Sequence, residues 1–443
     1  MNHLAPITTY GCIAEHLGHS FSGEIHRLLS QALAAKDDRL AYQYHLQELR
    51  PDEVEGFFRR RAFCGINITI PYKQVIIPML DELTDVARDI GAVNTVVNRD
   101  GRLIGDNTDF YGMRYLLAGA NIDLKGKKVL IFGTGGTSNT AFAVAKHGGA
   151  KQILKFSRTA RDGALSYDDL PLHTDADVII NTTPAGMYPN DEGCPLPEGL
   201  TLADFPALCG VVDAIYHPLR TELIMAARQL GIPATGGLPM LVAQAAAATE
   251  RFLDCTVDAA IIADVAETLQ RQKENIVLIG MPGCGKTTVG NLLSERLGRP
   301  LLDTDEVIAR RVGSVPDYLR AQGEAAFRDL EAAVIREDIA PESGVIIATG
   351  GGAVLRDENV RRLKRNGKLV FLDRPLESLL ATPDRPLSSD PDALRRRFEE
   401  RYDRYCAVAD VHLIVPDGES AVRTTERIVE DFLKEVPHTP QEL

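Results

Sequence analysis

A stretch past the middle of the chain, Asn275-Ile-Val-Leu-Ile-Gly280-Met-Pro-Gly-Cys-Gly-Lys286-Thr287-Thr288, leaves little freedom in how the residues beyond it can fold. Ile276 to Ile279 are apolar without alternation, the pattern of a strand buried on both faces. The run breaks at Gly280, and Gly285-Lys286-Thr287 opens a helical pattern that lasts to Leu297. The spacing G-x-x-x-x-G-K-T is that of a phosphate-binding loop. Each part has a physical task. Gly280, Gly283 and Gly285 let backbone N–H groups, including those around Cys284 and Thr288, turn inward onto phosphate oxygens. The helix N-terminus adds positive potential. Lys286 reaches the β- and γ-phosphates, and the Thr287 hydroxyl is suited to Mg²⁺. ATP and Mg²⁺ are therefore the expected ligands. Such a loop follows the first strand of its domain, so a new domain is expected to begin near residue 273.

The chain has 443 residues, enough for two or three domains. Its formal charge of −13 argues against nucleic acid or an anionic membrane as partner. Seven cysteines without metal-type spacing, and no basic N-terminal segment followed by an apolar run, predict free thiols and a cytoplasmic location. No apolar stretch is long enough to span a membrane.

From the N-terminus, strand and helix patterns alternate. Thr8 to Ala14 reads as a strand, Glu24 to Ala35 as a helix, Leu40 to Leu46 as a strand, Pro51 to Arg61 as a helix with proline at its start, and Gly65 to Ile70 as a strand stopped by Pro71. Short polar groups punctuate these elements: Ser20-Phe-Ser22, Asn67-Ile-Thr69-Ile-Pro-Tyr-Lys73, Gly91-Ala-Val-Asn94-Thr and Gly105-Asp-Asn-Thr-Asp109. Singly, each has a plain structural explanation, such as a helix cap or a solvated lysine. In this order they resemble the shikimate dehydrogenase family. The resemblance implies that Ser20, Ser22, Asn67, Thr69, Asn94 and Asp109 hold a polyhydroxylated cyclohexene acid, and that Lys73 and Asp109 are the catalytic pair. A lysine beside an aspartate can pass a proton to a carbonyl undergoing reduction. Gly23 and Arg27 stand where the family commonly has Pro and Asn.

Lys127 to Phe132 reads as a strand, Gly133-Thr-Gly135-Gly136 as a turn, and Thr137 to Lys146 as a helix: the dinucleotide-binding arrangement. The next strand, Gln152 to Phe156, ends in Ser157-Arg158-Thr159-Ala-Arg161. An arginine at this place suits a 2′-phosphate, so NADP(H) is expected, with Arg158 the main contact and Arg161 a second. Asp177 to Asn181 and Val211 to Ile215 are further strands. By the same resemblance Tyr216 and Gln244 reach the substrate and Gly237 lies near the nicotinamide. A final helix, Asp254 to Gln272, and the short charged link Arg271-Gln-Lys-Glu274 lead to the phosphate-binding loop.

Beyond that loop, Pro300 to Leu302 ends in Asp303-Thr-Asp305. One carboxylate here can hold Mg²⁺ through water and the other can take a proton from an attacking hydroxyl. With Phe-Arg328, Gly350-Gly351-Gly352 and Asp384-Arg385-Pro-Leu, this segment resembles the shikimate kinase family. The resemblance implies Asp303 at the metal, Asp305 as catalytic base, Arg385 stabilising the transferred phosphoryl group, and Gly350, Gly351, Gly352, Arg328 and Arg401 around the substrate. Arg404 is the alternative to Arg401 for the substrate carboxylate. Arginine suits both tasks because its planar fork pairs with carboxylate and phosphate oxygens.

The expected fold is α/β: a two-domain dehydrogenase, with a substrate domain at 1–120 completed by helices from 236–272 and a Rossmann NADP domain at 121–235, then a P-loop kinase domain with a parallel sheet at 273–443. The expected chemistry is NADPH-dependent reduction of 3-dehydroshikimate to shikimate, then ATP- and Mg²⁺-dependent phosphorylation to shikimate 3-phosphate. Two rivals are a quinate/shikimate dehydrogenase using NAD, against which Arg158 speaks, and a non-catalytic binding half, against which Lys73, Asp109, Lys286 and Asp305 speak.

Overall fold

A computed structural model describes residues 10–17, 20–160, 163–379 and 391–433. Contacts divide the chain into two units, one reaching to Tyr216 and resuming at Thr221–Leu269, the other comprising His217–Arg220 and, among the described residues, those from Gln270 onward.

The first unit holds two sheets. Strands β1 (Tyr10–Ala14), β2 (Tyr44–Glu48), β3 (Gly65–Ile68), β4 (Glu82–Leu83), β5 (Thr95–Arg99) and β6 (Arg102–Asp106) form the first, interleaved with helices α1 (Ser22–Ala34), α2 (Pro51–Arg60) and α3 (Asp85–Ile90). Its order is β2-β1-β3-β5-β6-β4, with β1 parallel to both neighbours and β5 antiparallel to β3 and β6. The β5–β6 hairpin turns on Asp100-Gly101, both at positive φ (52° and 86°), the conformation a two-residue hairpin demands. The strand expected from Leu40 starts only at Tyr44. The Asp37 side chain accepts from Arg39 N at 3.0 Å and holds residues 38–40 in a 3-10 turn, so a local hydrogen bond overrides the alternation.

Helix α4 (Asp109–Gly119) leads to the second sheet: β7 (Lys128–Phe132), α5 (Gly136–His147), β8 (Gln152–Ser157), β9 (Leu165–Ser166), β10 (Val178–Asn181), β11 (Gly210–Asp213), α6 (Glu222–Gln229) and β12 (Ala234–Thr235). The order β12-β11-β10-β7-β8-β9 is wholly parallel and doubly wound, so the strand order reverses between β7 and β10. Period-two alternation explains the unbroken apolar run of β7. Val129 and Ile131 pack with α4 and α5, while Leu130 and Phe132 enter the core on the other face. Helix α7 (Leu238–Leu253) packs on α4, and Gly112 permits this: a Cβ there would lie 2.6 Å from Met240 O. Helix α8 runs Ala259–Lys273, starting later than its pattern suggested because Asp254 closes α7 at φ 52°.

The second unit has one parallel sheet, β14-β15-β13-β16-β17. Its strands are β13 (Asn275–Ile279), β14 (Leu301–Asp303), β15 (Ile346–Ala348), β16 (Gly367–Asp373) and β17 (Val411–Ile414). Around it lie α9 (Lys286–Leu297), α10 (Thr304–Val312), α11 (Val315–Val334), α12 (Asp357–Asn366), α13 (Pro391–Val408) and α14 (Ala421–Leu433). Ile276 to Ile279 are fully buried, as a central strand with both faces covered requires. The carboxyl ends of β13, β14 and β15 deliver the phosphate loop, Asp303 and Gly350 to one edge of the sheet.

Candidate active sites

In the first unit, β3 ends at Ile68 and the chain turns through Thr69 and a cis Ile70–Pro71 bond into Tyr72. Tyr72 is 2% exposed and donates its hydroxyl to Leu49 O at 2.5 Å, which fixes the turn that presents Lys73. Asp109 opens α4 from the far end of the β5–β6 hairpin. Lys73 Nζ and Asp109 Oδ2 meet at 2.7 Å, with 21% and 13% of the side chains exposed. The pair is sheltered yet open to a small molecule.

Buried hydrogen bonds hold that geometry. Asn94 Oδ1 accepts from Thr108 N (2.7 Å), Thr108 Oγ1 (3.1 Å) and Thr95 Oγ1 (3.0 Å), so it pins the residue preceding Asp109. Its amide nitrogen makes no hydrogen bond among the described residues. Asn67 accepts from Tyr44 Oη at 2.7 Å and donates to Thr95 Oγ1 at 3.0 Å. Gln244, on α7, accepts weakly from Thr108 Oγ1 at 3.4 Å and donates to Leu241 O at 2.9 Å. The Thr69 hydroxyl has no partner among the described residues, whereas Ser20 Oγ lies 3.1 Å from Ser22 Oγ. Between those serines, the Phe21 ring packs on Tyr216 at 5.3 Å between centroids.

Sequence reasoning missed the layer beneath. His26 stacks on Tyr44 at 3.7 Å, lies 2.9 Å from Tyr42 Oη, and is driven by burial from 6.5 down to a pKa of about 3, a neutral ring. Arg251 Nε binds Asp106 Oδ2 at 3.0 Å and braces the hairpin end that leads to Asp109. The aromatic alternation around Tyr42 and Tyr44 was the available signal for the first; the second joins residues too far apart in sequence for any local pattern.

Gly133 sits at φ 109° where β7 meets β10, and a Cβ there would be 2.7 Å from Thr182 Oγ1. A Cβ at Gly135 or Gly136 would meet nothing within 4 Å. Both face open space at the start of α5, and this fits a pyrophosphate approaching a helix N-terminus. Ser157 Oγ donates to Thr159 O, which curls the end of β8 and leaves Arg158 and Thr159 exposed. No carboxylate pairs with Arg158 among the described residues, as a 2′-phosphate partner requires. Gly237 opens α7 against β11; a Cβ there would lie 2.2 Å from Ala214 O. Arg161 falls outside the described residues.

In the second unit the loop after β13 wraps around its own lysine. Lys286 Nζ donates to Gly280 O (2.9 Å) and Met281 O (3.0 Å), with Cys284 Sγ at 3.8 Å. Cys284 is buried, and Gly280, Gly283 and Gly285 all have positive φ. Thr288 continues the first turn of α9. Thr287 Oγ1 and Asp303 Oδ2 lie 2.8 Å apart, an oxygen pair suited to a hard cation directly or through water. Asp303 also caps α10, accepting from Asp305 N at 2.9 Å.

The run Gly350 to Gly352 passes through a cluster of charges. A Cβ at Gly350 would be 2.8 Å from Asp305 Oδ1 and 2.9 Å from Glu331 Oε1, and one at Gly352 would be 2.1 Å from Arg328 Nη1. Arg328 pairs with Glu331 at 2.8 Å. Burial raises the pKa of Glu331, and Arg328 opposes the rise. Arg401 is 5% exposed and donates to Gly351 O at 3.2 Å. Arg404 points elsewhere, to Val354 O at 2.8 Å and to Asp357. Arg385 falls outside the described residues.

A doubly wound nucleotide sheet beside a sheltered lysine–aspartate pair defines a pyridine-nucleotide oxidoreductase, and the phosphate-loop sheet after it defines a phosphotransferase. Shikimate dehydrogenase (NADP(+)) of Halothermothrix orenii is 39% identical over 262 residues, which cover 53% of this chain and 87% of that protein. The chain belongs to the shikimate dehydrogenase family and continues into a shikimate kinase domain. The family model for the shikimate dehydrogenase substrate binding domain matches residues 12–96, and that for shikimate kinase matches 282–436. A chorismate mutase/shikimate 5-dehydrogenase fusion from Clostridium acetobutylicum superposes with a TM-score of 0.55 and 33% identity, covering 60% of this chain and 97% of that one. Shikimate 5-dehydrogenase of Thermus thermophilus, in complex with NADP(H) and shikimate, gives 0.52 and 27%, covering 59% and 99%.

Proposed function

We propose that this is a bifunctional shikimate-pathway enzyme that reduces 3-dehydroshikimate to shikimate with NADPH and then phosphorylates shikimate with ATP and Mg²⁺. NADPH supplies the hydride, and ATP with Mg²⁺ supplies the phosphoryl group. The observation that carries the first half is the Lys73–Asp109 contact of 2.7 Å in a sheltered position. Lys73 donates a proton to the carbonyl oxygen as the hydride arrives at carbon, and Asp109, 2.7 Å away, keeps that lysine aimed. Thr69 and the Asn94 amide nitrogen, neither hydrogen-bonded within the described residues, are the donors offered to ring hydroxyls. Ser20, Ser22, Tyr216 and Gln244 complete that site, with Asn67 positioning it through Tyr44 and Thr95. Gly133, Gly135, Gly136, Ser157, Arg158 and Thr159 receive NADP, and Gly237 lets the nicotinamide end approach.

In the second half Asp305 takes the proton of the attacking hydroxyl, the one formed by the reduction. Lys286 holds phosphate oxygens, and Thr287 with Asp303 holds Mg²⁺. Arg328 and Arg401 bind the acceptor's carboxylate. Arg404 is committed to the α12 corner, which favours Arg401 for that role. We assign the substrate domain to 1–120 with helices from 236–272, the NADP domain to 121–235 and the kinase to 273–443. Seven cysteines outside any disulfide among the described residues fit a reducing cytoplasm, and among the described residues no helix is long and apolar enough to cross a membrane.

The test is incubation of the purified chain with 3-dehydroshikimate, NADPH, ATP and Mg²⁺, with products identified by mass. Shikimate 3-phosphate is expected. Shikimate alone would overturn the kinase assignment, and unchanged dehydroshikimate the dehydrogenase assignment.

A further inference from the structure

We propose that Arg397 is a third cation of the acceptor site in the kinase unit, a binding residue that draws in and holds the substrate carboxylate beside Arg328 and Arg401. The inference rests on the kinase reading above and adds a residue that neither its motifs nor its family resemblance supplied.

Arg397, Arg401 and Tyr405 are spaced at i, i+4 and i+8, so they line one face of α13. The lower two positions of that face are fixed against the glycine run: Arg401 Nη1 donates to Gly351 O at 3.2 Å, and the Tyr405 hydroxyl donates to the same oxygen. Arg397 stands one turn toward the helix N-terminus on the same side and is partly buried. Arg328 faces the same space from α11, where its own charge is answered by Glu331 at 2.8 Å and Glu324 at 3.3 Å. Glu324 and Glu331 are thereby committed to one arginine, and Glu400, three residues along α13, is the other carboxylate that draws on Arg397. Arg397 and Arg401 pair with no carboxylate among the described residues.

Burial, together with the neighbouring charges of Arg401 and Arg328, pushes the Arg397 guanidinium below its ordinary pKa, against the pull of Glu324 and Glu400. Cations gathered this closely in a half-buried place repel one another unless an anion enters among them. The chemistry suits a small carboxylate met by three planar forks, with Gly350 and Gly352 letting Asp305 and Arg328 stand where side chains of the run would otherwise lie. A phosphate oxygen of the nucleotide is the less suitable occupant, because Lys286 already serves phosphate at the loop after β13.

The experiment compares the full-length chain with Arg397→Leu and Arg397→Lys, using shikimate and its neutral methyl ester as acceptors. Dehydrogenase activity and thermal melting serve as controls for folding. In Arg397→Leu the KM for shikimate should rise about tenfold, the equivalent of one charge-assisted hydrogen bond. The KM for ATP and kcat should stay within about twofold, and Arg397→Lys, which keeps the charge but not the planar fork, should recover part of the loss. With the methyl ester, parent and variant should agree within about twofold, since the charge that Arg397 meets is gone. An unchanged KM for shikimate, or an equal rise for acid and ester, would overturn the proposal. Failure of the parent chain to phosphorylate shikimate would instead overturn the kinase reading on which it stands.

Discussion

The two sites solve the problem of positioning in opposite ways. The dehydrogenase site is built from side chains held by other side chains: Asn94 pins Thr108, Tyr44 pins Asn67, and Lys73 and Asp109 meet directly. The kinase site is built from side chains held against bare backbone: Lys286 on the carbonyls of its own loop, Arg401 on Gly351 O, Asp305 and Arg328 in the space left by Gly350 and Gly352. A hydride acceptor needs one proton donor aimed at one atom, which a directional network supplies. A phosphoryl group spreads charge over several oxygens, and closely approached N–H groups and several fixed cations suit that load. The contrast implies that the first site fails gradually as network members are removed, and the second fails sharply when volume is added.

The largest test separates the two units. Lys73→Met should lower dehydrogenase kcat about a thousandfold with kinase activity unchanged, and Asp305→Asn should do the reverse, since a positioned acid or base contributes roughly 10²–10⁴-fold. Loss of both activities from either change would break the division into independent chemistries. Next, Gly352→Ala forces a Cβ to 2.1 Å from Arg328 Nη1. Shikimate KM for phosphorylation should rise by about two orders of magnitude, whereas Gly135→Ala, with nothing within 4 Å, should leave melting unchanged and weaken only NADPH. If both glycine variants behave alike in the absence of ligands, the backbone-against-side-chain contrast is wrong. A smaller effect is expected from Arg158→Gln, about tenfold on the KM for NADPH and little on that for NADH, read from parallel initial rates.

The smallest effect at neutral pH concerns His26. Its folded pKa of about 3 lies below the unfolded 6.5, so between those values the unfolded chain binds the extra proton. Stability is unaffected above pH 6.5 and falls as pH drops below it, by about 1.4 kcal/mol per pH unit from this group. His26→Phe should flatten that slope in melts of the first unit between pH 6.5 and 4. An unaltered slope would remove His26 from the network.

The parts of this molecule that were legible in its sequence are those where chemistry is carried on a fixed local spacing. The phosphate loop, the Asp303–Asp305 pair and the glycine turn after β7 each place their groups within a few residues, so spacing alone sets geometry. The β5–β6 hairpin also has a local signal, since Asp100-Gly101 is a strong two-residue turn pair. What no spacing could reveal were contacts closed by the fold: Arg251 on Asp106, and Asp305 and Arg328 against Gly350 and Gly352. The strand placed too early at Leu40 failed because one aspartate's hydrogen bond outweighed an alternating pattern.

The crowding at Gly350 to Gly352 also has a genetic side. Every glycine codon becomes a codon for a residue with a Cβ, or a stop, when its first or second base changes. Added Cβ atoms would strike Asp305 and Glu331 at the first position, the rigid ring of Pro282 at 2.9 Å at the second, and Arg328 at the third. Drift through this tripeptide therefore displaces a charged side chain of the site or strikes a rigid ring at every step, whatever acceptor the enzyme serves. A change of acceptor would have to begin on the surrounding helices, where Arg328, Arg397 and Arg401 can be exchanged without touching the backbone they face.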